Sequence, residues 1–593
     1  MGLPPEFFSA FIAKIDTAID ESVVPDFSVI EKTLTDLYVF DSDEKCLVYT
    51  TLSCEKDSSE AMQTALNQLT LKAFSFDDKF LFDEMLEGLS ADFNLVLFIC
   101  AFIVFFFLWF SFGRIELTLI AMVPLTVAWF WILGLMDLFD IRFNIVNIIL
   151  ATFIFGQGDD YTIFVTEGLM YEYAHKKKVL ASYKRSVALS SLIMFIGIGA
   201  LIFAKHPALK SLAEVTIVGM SSVILMTYLF PPLLFKWLTM NGKENRIMPI
   251  TLTNLLKTIM SFSVFIFFSL IYTVAGFGLL VIGGKSEANK LRFHRMISWI
   301  FRKFAQWMPG VEYHVENLGN YNFEKPSILI CNHQSHLDLM YTLLLNPKII
   351  CLTNKWVWNS PFYGNIIRFA EYYPISNGIE ESIETLQSAI DRGYSILIFP
   401  EGTRSETGQI LRFHQGAFHL AQKFNVDVVP ILIHGINHVF PKKEFLLRKG
   451  RIDVRILPPI TSENEMIKGK DPRKASQAVH KYYIEQYAKI SDEIETAAYF
   501  QDYVYHQYLY KGAEVAKVVK KSLYSQSTLE WVDSLPNEGE ITVNDCGYGE
   551  KTLLAALVKK HLHIIATDSD EEKISMARNC GGVPSNLEYQ IKS

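Results

Sequence analysis

The apolar positions of this chain fall into two regimes. Between residues 95 and 283 they form long unbroken runs; from about 285 onward they form short blocks separated by polar turns. Leu95–Gly113 carries no charge. Leu117–Met136 follows the Arg114/Glu116 break, and Phe143–Phe164, Ser186–Ala204 and Leu212–Phe235 come next. Each reaches the roughly 17–25 residues a helix needs to cross a bilayer core, so five spans are expected. A sixth run, Ile259–Gly283, stands apart behind a basic spacer. Residues 1–92 read as a soluble segment outside the cytoplasm, with helical spacing at Ala61, Leu66, Leu69 and Leu71 and a strand at Lys45–Leu52.

Basic loops set the orientation. Lys176, Lys177, Lys178, Lys184 and Arg185 follow the third run, and Lys236, Lys243 and Arg246 follow the fifth; both loops are expected to be cytoplasmic. The sixth run has Lys257 before it and Lys285, Lys290, Arg292 and Arg295 after it. A membrane hairpin over 252–284, bent at Ala275-Gly276-Phe277-Gly278, keeps both flanks inside and is preferred to a sixth span.

Beyond 285 the short blocks alternate. Ser327–Cys331, Ile349–Thr353, Ser395–Phe399, Val426–Ile433 and Ile452–Leu457 read as buried strands. Leu337–Leu345, Ile379–Arg392, Gly416–Lys423 and Pro472–Ile490 read as helices. Residues 285–495 are therefore an α/β domain. Residues 496–525 are aromatic and basic and read as a helical connector. A partial Rossmann-like α/β unit is expected over 526–593, with two strands. The fold class is a multidomain membrane protein: an α-helical bundle over 93–240, the hairpin, the α/β domain and the partial C-terminal unit.

Composition agrees. Half of the 593 residues are hydrophobic, 45 of them Phe, while the mean hydropathy of +0.21 lies between a membrane bundle and a soluble chain. A formal charge of -8 gives no basic field for nucleic acid. The seven cysteines form no CxxC, so neither zinc nor another metal is expected; Cys46 and Cys54 read either as a pair or as two free thiols. Met1–Ile30 has no basic start followed by an apolar run, so no signal peptide is expected.

The strongest chemical signal is Asn332-His333-Gln334-Ser335-His336-Leu337-Asp338, directly after a buried strand and opening a helix. A His and a carboxylate five apart across such a turn can meet, the carboxylate fixing the imidazole so that its other nitrogen serves as general base. By itself, a His beside an Asp at a helix start is more often a cap. The second block, Phe399-Pro400-Glu401-Gly402-Thr403-Arg404-Ser405, also follows a buried strand, and its Gly turn, Arg and hydroxyls suit an anion.

Together, in this order, the two blocks resemble the NHxxxxD and FPEGTRS motifs of the glycerol-phosphate and lysophosphatidate acyltransferase family. Lys355 with Pro361, Phe362 and Gly364, and Val429-Pro430-Ile431, are similar to its second and fourth blocks. The resemblance covers about 285–495. It implies His333 as general base, Asp338 as its orienting partner, and Glu401, Gly402, Thr403, Arg404 and Lys355 as acceptor-binding residues. The donor would be an acyl thioester of coenzyme A or acyl carrier protein, with no cofactor. His336 reads as structural. Two departures stand out: Pro374-Ile375-Ser376-Asn377 lacks the family's Arg, and Phe413-His414-Gln415-Gly416 has His in place of its Lys. These leave a phosphorylated acceptor as the leading reading, with an amino-acid lipid, another glycerolipid or a pigment-like acceptor open.

Within the third run, Gly156-Gln157-Gly158-Asp159-Asp160-Tyr161 resembles the Gly-x-Gly-x-Asp-Tyr segment of proton-driven resistance-nodulation-division exporters. An intramembrane carboxylate is expensive and reads as functional, so Asp159 and Asp160 are candidate proton-relay residues; the alternative is a paired interface Asp. Asn544-Asp545-Cys546-Gly547-Tyr548-Gly549, with Asp568 after it, resembles the opening of an S-adenosylmethionine-dependent methyltransferase. Asp545, Gly547, Gly549 and Asp568 are then candidate cofactor-binding residues; the alternative is an ordinary βαβ turn, and no methyl transfer is expected.

The sequence thus reads as an acyltransferase of the 1-acylglycerol-3-phosphate type in a bacterial-type cytoplasmic membrane. Its catalytic domain faces the cytoplasm, and its partners are membrane lipids and an acyl thioester. The alternative is proton-driven export of a lipid by the bundle, with a second exporter half or a second copy as partner. A scaffold with one active domain is a third reading.

Overall fold

The computed structural model describes residues 39–42, 45–49, 51, 61, 64, 65, 78–144, 146–242, 244–361, 364–374 and 383–592. The chain divides into two units, Met1–Phe93 and Asn94–Ser593. In the first, β1 (Val39–Ser42) and β2 (Lys45–Val48) form an antiparallel pair with Val39 opposite Val48.

The helices that follow are α1 (Asp78–Phe112), α2 (Ile115–Leu138), α3 (Ile149–His175), α4 (Leu180–Gly199), α5 (Pro207–Thr239) and α6 (Leu252–Gly276). Five described helical stretches are long and apolar enough to cross a membrane: Leu95–Phe112, Ile115–Leu138, Leu180–Phe203, Pro207–Thr239 and Leu252–Ile282. Four of them are expected spans, and the fifth is the sixth apolar run. The third run becomes α3, which starts at Ile149 rather than Phe143 and carries Asp159, Asp160 and Glu167, so its hydropathy falls short. Gly158 lets α3 press on its neighbours: a Cβ there would sit 2.5 Å from Leu125 and 3.0 Å from Val223.

The expected hairpin is not formed. The chain stays helical through Ala275–Gly278 and continues as a π-helical turn over Phe277–Ile282, because nothing at the Gly-containing stretch forces a break: Gly276 is used for packing, its Cβ position lying 2.6 Å from the Phe369 ring. One stripe of this helix lies along the α/β domain. Thr258 Oγ1 accepts from the Leu447 amide at 2.8 Å, Phe262 meets Phe440, Phe265 meets Phe304, and the Tyr272 hydroxyl donates to the Met296 carbonyl at 3.1 Å. The opposite stripe, including Ile259, Phe267, Leu270 and Val274, is exposed.

After the amphipathic α7 (Glu287–Trp307) comes a seven-stranded sheet. Its strands are β3 (Val311–Glu316), β4 (Ile328–Cys331), β5 (Ile349–Thr353), β6 (Tyr373–Pro374), β7 (Ser395–Ile398), β8 (Val428–His434) and β9 (Gly450–Ile456). The order is β3-β9-β8-β4-β7-β5-β6. Neighbours pair in parallel except at β8–β9. β4, β5, β7 and β8 are buried or nearly so at every position, as apolar strands covered on both faces should be. β3 was not anticipated. The adjacent carboxyl ends of β4 and β7 put the two motif blocks side by side.

Helices α8 (Asp338–Leu343), α9 (Gly416–Phe424) and α10 (Pro472–Ile494) belong to this domain. The expected connector is two helices, α11 (Ala497–His506) and α12 (Ala513–Leu523). Between them Tyr510 joins the bundle core and donates its hydroxyl to the Ile250 carbonyl at 2.6 Å. The C-terminal unit has three parallel strands rather than two, β10 (Glu538–Asn544), β11 (His561–Asp568) and β12 (Leu587–Ile591), with α13 (Glu550–Val558) and α14 (Glu571–Arg578) between them.

Candidate active site

The site begins where β4 ends. Asn332 leaves the strand but clamps its neighbour: its side chain accepts from the Ile433 amide and donates to the Ile433 carbonyl, both at 2.8 Å. Its own amide donates to the Tyr483 hydroxyl at 2.8 Å. The chain then turns into α8, and Asp338, fully buried in the first turn, organises the bend behind it. Asp338 Oδ2 accepts from the Gln334 amide at 2.7 Å, the Ser335 amide at 2.8 Å and His333 Nδ1 at 2.7 Å. Three donors thus converge on one carboxylate oxygen.

His333 is fixed on its other sides as well. Its ring stacks on Phe399 at 4.3 Å between centroids and 23° between planes. Its carbonyl accepts from the Ser405 amide at 2.7 Å, which ties the two motif blocks together. The ring is 23% exposed, and Nε2 has no hydrogen-bond partner among the described residues.

Glu401 departs from the expected acceptor-binding role. It is 3% exposed, its Oε1 accepts from the His333 amide at 2.8 Å, and its Oε2 accepts from the Leu411 amide at 2.8 Å. Burial pushes its carboxyl up to about 7, with the Asp338 charge adding and the two amides opposing. Glu401 therefore braces the turn from beneath. Gly402 needs its φ of +68°, and a Cβ there would lie 3.2 Å from the His414 ring. Thr403 is exposed and Arg404 half-buried, and the Arg404 guanidinium has no hydrogen bond or ion pair among the described residues. Lys355 starts the short helix Lys355–Trp358, where it is exposed and likewise unpaired among the described residues. Trp356, next to it, lies 6.5 Å from His336 between rings. Phe362 and Asn377 lie outside the described residues.

Two supports were not singled out from sequence. Gln334 Nε2 donates to the Gly408 carbonyl at 2.6 Å and the Tyr487 hydroxyl at 3.1 Å, so the His333–Asp338 turn also grips the loop after the second block. Ser335 Oγ donates to the Phe440 carbonyl at 2.7 Å. Their place inside the first block was the available signal.

The other two constellations are remote from this turn in sequence and lie in other elements. In α3, Asp159 is buried and its Oδ1 has no partner among the described residues, while Asp160 is exposed. At the C-terminal turn, Asp568 Oδ2 accepts from the Gly547 amide at 2.8 Å and Oδ1 from the Asp570 amide at 2.9 Å. A Cβ at Gly549 would meet the Tyr589 ring at 2.7 Å, and Asp545 is exposed beside Lys592 at 3.7 Å. The carboxylate and the glycine are thus engaged by the loop itself.

Residues 311–434 match a family model described as Acyltransferase. The 1-acyl-sn-glycerol-3-phosphate acyltransferase of Saccharomyces cerevisiae is 30% identical over 207 residues, covering 33% of this chain and 68% of that protein. That of Limnanthes alba is 27% identical over 211 residues, covering 34% and 74%. The alpha enzyme of Homo sapiens is 28% identical over 165 residues, covering 27% and 58%. The crystal structure of a 1-acyl-sn-glycerophosphate acyltransferase from Thermotoga maritima is 24% identical, covers 40% of this chain and 96% of that one, and superposes with a TM-score of 0.34. The molecule is an acyltransferase. The chain belongs to the 1-acyl-sn-glycerol-3-phosphate acyltransferase family.

Proposed function

We propose that the chain moves an acyl group from a thioester of coenzyme A or acyl carrier protein to the free hydroxyl of a lysophospholipid, lysophosphatidate first. The observation that carries this reading is the His333 Nδ1–Asp338 Oδ2 contact of 2.7 Å, which leaves Nε2 on the open side. Nε2 takes the acceptor's hydroxyl proton as the oxygen attacks the thioester carbonyl. The new C–O bond forms, the C–S bond breaks, and the proton passes from the imidazolium to the departing thiolate. Buried Asp338 stabilises the imidazolium between these steps. The unpaired Arg404 guanidinium and the Thr403 hydroxyl hold the acceptor's phosphate, with Lys355 nearby.

The geometry of α6 supports a catalytic domain seated on the membrane surface. A helix with one stripe on an α/β domain and the other apolar and exposed is suited to lie at the bilayer face, leaving Lys257 and Lys285 on the same side. The basic loops before α4 and after α5 favour a cytoplasmic face for that side.

The test is acyl transfer by the purified chain in lipid micelles, with lysophosphatidate and a palmitoyl thioester of either carrier. Product is expected with the parent chain and none above background with His333→Ala; equal rates for both sink the reading.

Export remains a second function for the bundle, favoured by one observation: buried Asp159 in α3 with an unpartnered oxygen.

A further inference from the structure

Beside the second motif block lies a basic element that neither motif contains. Helix Ile436–Val439 ends at Phe440, and Pro441-Lys442-Lys443 follows. This loop is anchored to the catalytic turn, because Ser335 Oγ donates to the Phe440 carbonyl at 2.7 Å. Lys442 Nζ donates to the Arg404 carbonyl at 2.7 Å, so its ammonium sits against the turn that carries the unpaired Arg404 guanidinium.

The local charges do not cancel. Glu406 is the carboxylate here, 3.4 Å from Lys442 and 2.8 Å from Lys443. Two ammonium groups share Glu406, and Arg404 adds a third cation that feels the Asp338 charge but has no ion pair among the described residues. Lys442 keeps part of its side chain open, at 21% exposure, whereas Glu406 points further into solvent at 51%. A half-open corner where three cations meet one surface carboxylate, on a loop tied to the first motif block through Ser335, suits a dianion better than a neutral headgroup.

We infer that Lys442 is a specificity-determining residue: with Arg404 it forms the subsite for a phosphomonoester on the acceptor, and it selects phosphorylated lysolipids over neutral ones. This rests on the proposed reading of Arg404 as an acceptor-binding residue. Lys443 contributes by occupying Glu406, which would otherwise repel the phosphate.

A purely structural pin is the competing role, since Lys442 also holds the Arg404 carbonyl. Charge separates the two. The experiment measures KM for lysophosphatidate in Lys442→Gln, Lys442→Arg and Arg404→Gln, with KM for the thioester as internal reference, at low and high salt. Lys442→Gln is expected to raise the acceptor KM about tenfold at low salt, as loss of one charge-assisted contact should. The rise should shrink at high salt and leave the thioester KM in place. Lys442→Arg should restore the parent value. If Gln restores the acceptor KM as well as Arg does, or if the salt dependence is absent, Lys442 is only a pin. If Arg404→Gln raises the acceptor KM but Lys442→Gln does not, this inference falls alone. If neither variant changes it, the phosphate reading of Arg404 falls too.

Discussion

Glu401 meets His333 through the main chain: its carboxylate accepts from the His333 amide at 2.8 Å while its other oxygen accepts from the Leu411 amide at the same distance. A residue expected to touch the acceptor instead holds the His333 backbone. Glu401→Gln keeps the shape but turns one acceptor into a donor facing an N–H. It should destabilise the chain by about 1–3 kcal/mol, read as a lower thermal midpoint in detergent.

The same carboxyl sets a pH dependence. Its folded value of about 7 lies above its ordinary 4.5. The folded state therefore holds its proton more tightly, and this contribution to stability is present below pH 4.5 and lost as pH rises through about 7. The parent's thermal midpoint should fall across that window more steeply than that of Glu401→Gln; parallel curves would contradict the assignment.

Asp338→Asn retains one acceptor for the three donors that converge on Oδ2 but removes the charge opposite the imidazolium. A loss in kcat of about a thousandfold is expected. His333→Ala should cost about 10²–10⁴-fold. Single-turnover acyl transfer in micelles distinguishes these losses from misfolding, provided circular dichroism is unchanged.

Gly158→Ala places a methyl 2.5 Å from Leu125 at the α2–α3 contact. Overpacking of this kind costs about 1–3 kcal/mol. The bundle should lose thermal stability while Asp159→Asn, which adds no bulk, leaves acyl transfer within about twofold, an effect below about 0.5 kcal/mol. Loss of acylation in Asp159→Asn would mean that bundle and enzyme are chemically coupled.

Cysteines placed at exposed Thr253, in the first turn of α6, and at exposed Ser286, the N-cap of α7, test how the sixth apolar run sits. Both should react with an impermeant maleimide from the cytoplasmic side. Labelling of the two from opposite sides would make the run a true span.

The His333–Asp338 turn was legible because its chemistry is contiguous. His333 and Asp338 are five residues apart, and the strands before the two blocks are short apolar runs. What sequence could not supply was direction. Glu401 lies inside a recognisable block, yet its inward pose depends on an amide 68 residues away and another 10 residues on. The strand Val311–Glu316 does alternate apolar and polar positions, but its partner, Gly450–Ile456, lies far along the chain. A glycine pair in the sixth run read as a bend because nothing local reveals that Phe369 needs the bare side of Gly276. In α3 the pattern singled out Asp160, before Tyr161, with Asp159 as an addition; packing buries Asp159 and leaves Asp160 exposed.

The helix Leu252–Gly276 and its π-helical continuation blur the line between anchor and enzyme. Tyr272 and Leu280 belong to the same hydrophobic cluster as Leu329, Cys331 and Tyr341, which surround the catalytic turn. A fragment beginning at residue 285 would therefore lack part of one wall of the domain it was meant to isolate. The inner stripe of the membrane-facing helix is in effect a structural component of the enzyme's interior.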